Sequence, residues 1–440
     1  MKYVEQVQSL LLVFLIFLSV TLTLLIWNYK PDYELIEETQ VEELLIGDQK
    51  QLQDVIKPYR ILYRENDQFT GTVSNNVINE FYDHLITWQA YGLELNKSNI
   101  SDVEMNGILN RNNRATLFFN EEIPLQTFSN VLTFNEKDLS AKSFTRLLID
   151  WSNLEEQNQL QLLFLNTEKR LLFRAYVDLE SNRRFLSQII EPAKNYTPYT
   201  EIERDSLRSL YVVQNPTEAT QYTYLEDKLS LDSFKNIVFT NPSIVQPSKE
   251  GPLSEKYSDD MSWMQVDTQN RILNYVNYLA ESIAPIPSTT LILDSFEYVN
   301  EHGGFTSDFR LSSMFIGKHI INYQLFLHGY PVYSDTTMTR IITTWGEDRL
   351  FRYRRPYYSI GSEVPNERLV KSLPSGEKVI DYVRNSQDFN FEEVDEVVMG
   401  YHIIQNPDAY IFDPNWYVIS NNVVKRITPD QLGGAMNGLE

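Results

Sequence analysis

The chain has 440 residues, no cysteine and a formal net charge of −22, with 42% apolar and 13% aromatic residues. The absence of cysteine excludes disulfides, thiol catalysis and cysteine-ligated metal or iron–sulfur centres, and the acidity opposes nucleic-acid binding. The apolar content excludes global disorder, and at about 150 residues per domain the length implies two or three domains.

The most apolar stretch comes first. Leu10 to Trp27 carries no charge, with Ser19, Thr21 and Thr23 as its polar members. As a helix it spans about 27 Å, close to the hydrocarbon core of a bilayer. Trp27 and Tyr29 lie at its distal end, where aromatic rings suit the headgroup layer. A cleaved signal would have a shorter apolar run and a small-residue cleavage site, whereas Asn28-Tyr29-Lys30-Pro31-Asp32 follows here. The expectation is a short cytoplasmic tail (1–9), a retained transmembrane helix (10–29) and the bulk of the chain extracellular, on a single-pass protein of the cell membrane. Ser19 and Thr23 share one side of that helix, and with Thr21 they are candidate contacts to another membrane helix.

Residues 32–58 have roughly helical apolar spacing until Pro58. Tyr59 to Tyr63 reads as a strand with a turn at Glu65-Asn66-Asp67. Ser74 can cap a helix through Trp88. Ala115 to Phe119 is a strand, and Pro124 opens a helical run to Leu132. Arg146 to Trp151, Gln161 to Leu165 and Arg170 to Val177 read as antiparallel strands, and Leu186 to Ile190 as a short helix. Glu191 to Pro198 marks a boundary, giving an N-terminal extracellular domain over 30–194.

A central α+β domain is expected over 195–290. It holds strands at Leu207 to Gln214 and Gln221 to Leu225, a helix at Ser233 to Phe239, and a hairpin of Trp263–Asp267 with Arg271–Val276. A C-terminal α+β domain over 291–440 opens with a helix ending at Asn300-Glu301-His302-Gly303-Gly304. Strands follow at Ile320–Leu327, Thr339–Thr344 and Leu350–Tyr353, then a helix from Pro374-Ser375-Gly376-Glu377 to Val383. Val394–Ile404 and Trp416–Ile427 close the chain as paired strands, joined by Asp408–Pro414. The order Trp…Asp-x-x-x-Arg…Tyr at 263–275 is echoed by Trp…Asp-Arg…Tyr at 345–353. The fold class is therefore α+β: a transmembrane helix, then several domains of antiparallel sheets with packed helices.

No catalytic signature emerges. His84, His302, His319, His328 and His402 form no zinc motif, and neither a nucleophile elbow nor a phosphate-cradling loop occurs. The acidic pairs Glu392-Glu393 and Asp395-Glu396 read as a solvated face, since nothing marks a glycosidase cleft. No calcium loop is present. Neither an enzyme nor a cofactor is expected. Arg349, Arg352, Arg354 and Arg355 stand out against the acidity as a candidate outer interaction patch for an acidic partner or teichoic acid, or as partners of nearby sheet carboxylates.

Ile26-Trp27-Asn28-Tyr29-Lys30-Pro31-Asp32-Tyr33, Met264-Gln265-Val266 with Leu273-Asn274-Tyr275-Val276-Asn277, and Gly329-Tyr330-Pro331-Val332-Tyr333 together resemble the YycH family of low-GC Gram-positive bacteria. The resemblance runs over essentially the whole length. It implies a regulator of the YycG (WalK) sensor kinase, whose response regulator is YycF (WalR). It implies a second anchored partner, YycI, contacts through transmembrane helices, and control of cell-wall metabolism. It supplies no catalytic residues and no sign of regulation. The alternative expectation is an extracellular cell-wall-binding or wall-remodelling protein.

Overall fold

The run Arg60-Ile61-Leu62-Tyr63 enters the computed structural model of the chain as strand β1 (Arg60–Glu65). It turns at Asn66 and Asp67, whose φ angles of 50° and 61° are the left-handed pair that a two-residue hairpin requires, and returns as β2 (Gln68–Thr72). The structure describes residues 14–15, 18–19, 21, 46–227, 229–251 and 253–432. Phe14, Leu15, Leu18, Ser19 and Thr21 are helical, and the other residues of the expected membrane helix lie outside the described residues. No helix among the described residues is long and apolar enough to cross a membrane. Met1–Leu44 and Leu45–Glu440 are separate units, and every strand among the described residues lies in the second.

The first sheet adds β3 (Gln89–Ser98), β4 (Arg114–Pro124), β5 (Thr133–Phe134), β6 (Ser143–Asp150), β7 (Gln159–Asn166), β8 (Leu171–Asp178), β9 (Thr197–Ile202) and β10 (Leu210–Val213). Its order is β10-β9-β2-β1-β4-β6-β7-β8-β3-β5. Both faces are covered, so β4, β6 and β7 are buried along most of their length instead of alternating. One face packs on helix Asn75–Thr87 through Ile78, Phe81 and Leu85. The other packs on helix Asp102–Leu109 through Met105 and Leu109. Phe119, Phe128, Phe144 and Phe164 form a ring cluster on the first face, with centroids 5.0–6.0 Å apart and edge-to-face geometry.

The second sheet contains β11 (Thr217–Asp227), β12 (Gln246–Gly251), β13 (Ser254–Ser258), β14 (Ser262–Asp267), β15 (Ile272–Asn277), β16 (Asp308–Phe315), β17 (Ile320–Leu327), β18 (Tyr330–Tyr333), β19 (Arg340–Trp345) and β20 (Leu350–Pro356). It continues with β21 (Ser359–Glu363), β22 (Leu369–Leu373), β23 (Val394–Gln405), β24 (Ala409–Ser420) and β25 (Val423–Ile427). Its main path is β12-β13-β14-β15-β20-β19-β17-β18-β23-β24-β11-β21, with β16 on β17, β22 on β11 and β25 on β24. Helix Ser288–Glu301 lies against it, Ser295 Oγ 2.8 Å from Thr343 Oγ1 and accepting from Trp345 Nε1 at 2.7 Å. The helix stops at His302, followed by Gly303 at φ 101°.

The mixed α+β architecture agrees with the sequence reading. The connectivity is finer. Strands β9 and β10 follow residue 194 yet complete the first sheet, and the β15–β20 pairing joins segments on either side of residue 290. Residues 409–414, expected as a linker, belong to β24, where Pro414 sits opposite Tyr401. Strand β23 turns into β24 at 406–408 instead, and a second turn at Asn421 and Asn422, at φ 51° and 64°, divides the expected Trp416–Ile427 strand between β24 and β25. The two echoed hairpins are neighbours, and their tyrosines Tyr275 and Tyr353 are register partners.

Two predictions follow from this packing. Phe144→Ala, at a fully buried site, is expected to cost about 3–5 kcal/mol in urea unfolding, while Val423→Ala, 55% exposed, should stay within about 0.5 kcal/mol. Gly329 has φ 85°, and a Cβ there would fall 1.9 Å from the Val73 carbonyl oxygen. Gly329→Ala is therefore expected to lower the urea midpoint by the equivalent of about 1–3 kcal/mol with no change of m-value.

Candidate functional site

The two sheets meet where β1, β4 and β6 present one residue each. Arg60 is the register partner of Phe118, and Phe118 of Arg146. The three side chains line up across the strands, with the guanidinium carbons 4.5 and 4.6 Å from the Phe118 ring centroid. Glu396 of β23 faces them. The β23–β24 register shifts between Val394 and Glu396, and this irregularity lets successive acidic residues serve different partners. Asp395 accepts the Asn421 backbone N–H at 2.8 Å. Glu396 accepts from Arg60 Nη2 at 3.2 Å, from Arg146 Nη2 at 3.4 Å and from the Tyr59 hydroxyl.

This cluster is largely dry: the Arg60, Arg146 and Glu396 side chains are 4%, 14% and 17% exposed. Burial works against the Arg60 charge, but Glu396 together with Tyr59, Tyr199 and Tyr211 outweighs it and holds the guanidinium firmly protonated. Burial, with the Glu396 charge next, pushes the Tyr59 hydroxyl upward, so it acts as a donor. Arg60 Nη1 also donates to the Tyr211 carbonyl at 2.9 Å, which ties the cluster to the first sheet.

Beside the cluster lies a cavity of about 450 Å³, within the range of small-molecule sites and, as such sites often are, at a junction. Aromatic side chains including Tyr199, Tyr330 and Trp416 line it together with Arg208 and several carboxylates. Across it, Glu121 projects from β4 where the pairing with β6 breaks between Phe118 and Ile123. Glu121 Oε2 accepts the Met314 backbone N–H of β16 at 2.7 Å, and its Oε1 accepts the Glu122 N–H at 2.8 Å. Burial raises its pKa, partly opposed by those two N–H donors, with Glu122 and Glu168 adding to the rise. Both carboxylates that span the seam thus sit at breaks in a strand ladder.

The residues singled out from sequence are placed differently. Ser19 and Thr21 are helical, and Thr23 lies outside the described residues. The arginine group is split by strand alternation. Arg349 is exposed near the β19–β20 turn, while Arg352 and Arg354 share a shallow groove with Gln265 and Asn274. Arg355, expected in the outer patch, instead points to the opposite face and is fully buried. It donates to the Gly304 carbonyl at 3.1 Å and lies 5.0 Å from the Phe234 ring centroid. Reading β20 as ending at Tyr353 hid this, because its alternation continues to Pro356.

The histidines are scattered. His302 stacks on Tyr298 at 3.7 Å, His328 Nε2 lies 3.1 Å from the Tyr224 hydroxyl, and His319 Nδ1 lies 3.2 Å from the Trp345 carbonyl. No group of three potential metal ligands occurs among the described residues. The solvated-face reading of Asp395-Glu396 fails for Glu396, and Arg60, Arg146 and Glu121 carried no sequence signal. What brings them together is sheet register and breaks in it, which local patterns do not announce.

Removing one member of the cluster leaves buried charge without its counterpart. Glu396→Ala is expected to cost about 3–5 kcal/mol by chemical denaturation. A double-mutant cycle of Arg146→Ala with Glu396→Ala should show a coupling of about 0.5–3 kcal/mol, and a coupling of zero would remove the pair from the account.

Residues 5–196 match the family described as YycH protein, N-terminal domain, and residues 207–431 match YycH protein, C-terminal domain. A curated protein of Bacillus subtilis (strain 168), named two-component system WalR/WalK regulatory protein YycH, is 20% identical over 460 aligned positions, covering 99% of each chain. The crystal structure of YycH from Bacillus subtilis superposes with a TM-score of 0.75 at 18% identity, over 87% of this chain and 99% of that one. That likeness establishes a shared fold, and with both family regions matched across nearly the full length, this chain belongs to the YycH family.

Proposed function

We propose that this chain is a non-enzymatic, membrane-anchored regulator of a WalK (YycG)-like sensor kinase, acting beside a YycI-like protein to tune cell-wall metabolism. The single observation that carries this reading is the match over 99% of both chains to a relative named as a WalR/WalK regulatory protein. The apolar segment Leu10 to Trp27 is the proposed route of contact. In this reading the amino terminus is cytoplasmic and the bulk of the chain is extracellular. Helix contacts in lipid depend on close packing and on hydrogen bonds from small polar residues, the chemistry that Ser19, Thr21 and Thr23 offer. Regulation then requires two helix arrangements for which the regulator has different affinities, since equal affinity shifts nothing.

Photocrosslinking in native membranes, residue by residue from Leu10 to Trp27, tests this. Crosslinks to a sensor kinase or a YycI-like protein are expected to recur with the helical period of about 3.6 residues. Lipid adducts alone at every position, with the complex still captured through the extracellular residues, would make the segment a plain tether.

A further inference from the structure

The cavity at the junction of the two sheets has an unequal charge inventory. Five carboxylates line it: Glu121, Glu122, Glu168, Asp395 and Glu396. Four have cationic partners. Glu122 pairs with Lys169, Glu168 with Arg208 at 3.1 Å, Asp395 with Arg208 at 3.9 Å, and Glu396 with Arg60 and Arg146. Glu121 is the exception among the described residues. The charges of Glu122 and Glu168, both acidic, act on it unfavourably, and its hydrogen bonds come from two backbone N–H groups. A half-buried carboxylate so placed gains from a cation more than a fully solvated one does, because less water competes.

Its apolar surroundings sharpen this. Phe315 lines the same cavity, and so does Met314, whose backbone N–H binds Glu121. Aromatic faces attract ammonium and guanidinium groups, and thioethers pack against apolar stems. Three arginines are already committed within the cavity, so an anionic ligand would compete with Glu396, Glu168 and Asp395 for them.

We propose that this cavity is a binding site for a small organic cation, an ammonium or guanidinium group on an apolar or aromatic body, with Glu121 as its counter-ion. The proposal goes beyond kinase regulation and stands whether or not the kinase reading holds. Because Glu121 on β4 also holds the Met314 N–H on β16, the bound cation sits on a contact between the two sheets.

The test uses the full chain in lipid nanodiscs and phenethylamine as the probe, with 2-phenylethanol as the neutral isostere. Binding is read by calorimetry and by saturation-transfer NMR. Phenethylamine is expected to bind at least about tenfold more tightly than the alcohol, and Glu121→Gln to erase that preference, as loss of one charge-assisted hydrogen bond predicts. Glu122→Gln should leave the preference in place. Because Glu121→Gln also touches the β16 contact, Phe315→Ala provides a second route: it leaves the carboxylate intact and is expected to weaken the amine severalfold. Equal affinity for amine and alcohol, a Glu121→Gln chain that keeps its preference, or no amine binding up to about 10 mM in folded wild-type chain would each overturn the proposal. The kinase reading is judged separately, by crosslinking from Leu10 to Trp27.

Discussion

Glu396 holds two arginines that stand on either side of one phenylalanine ring, and the junction of the two sheets depends on that arrangement. Two guanidinium groups so close would repel each other strongly in a dry setting. Two features offset this. The negative face of the Phe118 ring lies near both cations, and the carboxylate accepts from each. Replacing such a cluster with apolar residues of the same shape is often neutral or stabilising in other proteins. What it supplies here is orientation. An apolar seam tolerates sliding, whereas a carboxylate shared by two fixed arginines and a tyrosine does not.

The rest of the seam follows the same logic. Arg310 is fully buried, 4.4 Å from the Phe326 ring centroid, and donates to Asp308 Oδ2 at 2.9 Å and to the Pro58 carbonyl at 3.3 Å. Asn75 at the start of its helix donates to Asp308 at 2.9 Å. Arg204 reaches the Phe391 and Val394 carbonyls at 3.2 and 2.8 Å. These are point contacts with direction. Surfaces joined at points enclose space between them, and the cavity lined by Tyr199, Tyr330 and Glu121 is such a space.

Much of the fold was legible in local sequence. The glycines after His302 and Ser375 before Gly376, whose hydroxyl accepts the Lys378 N–H, mark helix ends by physics that acts within four or five residues, whereas Ser74 precedes Asn75 without a side-chain capping bond. The Trp263–Val276 hairpin was readable because its period-two pattern surrounds a polar turn. Strand β3 was not, since Glu94, Asn96 and Lys97 are exposed and its apolar alternation is weak. Strand β16 was hidden by Arg310, a charge in a fully buried position. The site was hardly legible at all. Arg60, Phe118, Arg146 and Glu396 span more than three hundred residues of sequence, and their meeting depends on register across three strands and on an irregularity in a fourth.

The irregularities explain how each sheet reaches the other across this seam. In an unbroken strand, side chains at i and i+1 are committed to opposite faces. A shift in pairing releases that constraint, and it does so at Glu396 and again beside Glu121. Glu396 then reaches from the second sheet to the first, and Glu121 reaches from the first to the second. The two carboxylates are thus reciprocal, one saturated by arginines and the other held by backbone N–H groups alone. A ligand shifts an equilibrium only through different affinities for its two states. Of the two, Glu121 has bonds that an added cation would alter most, because Glu396 already has its counter-charges in place.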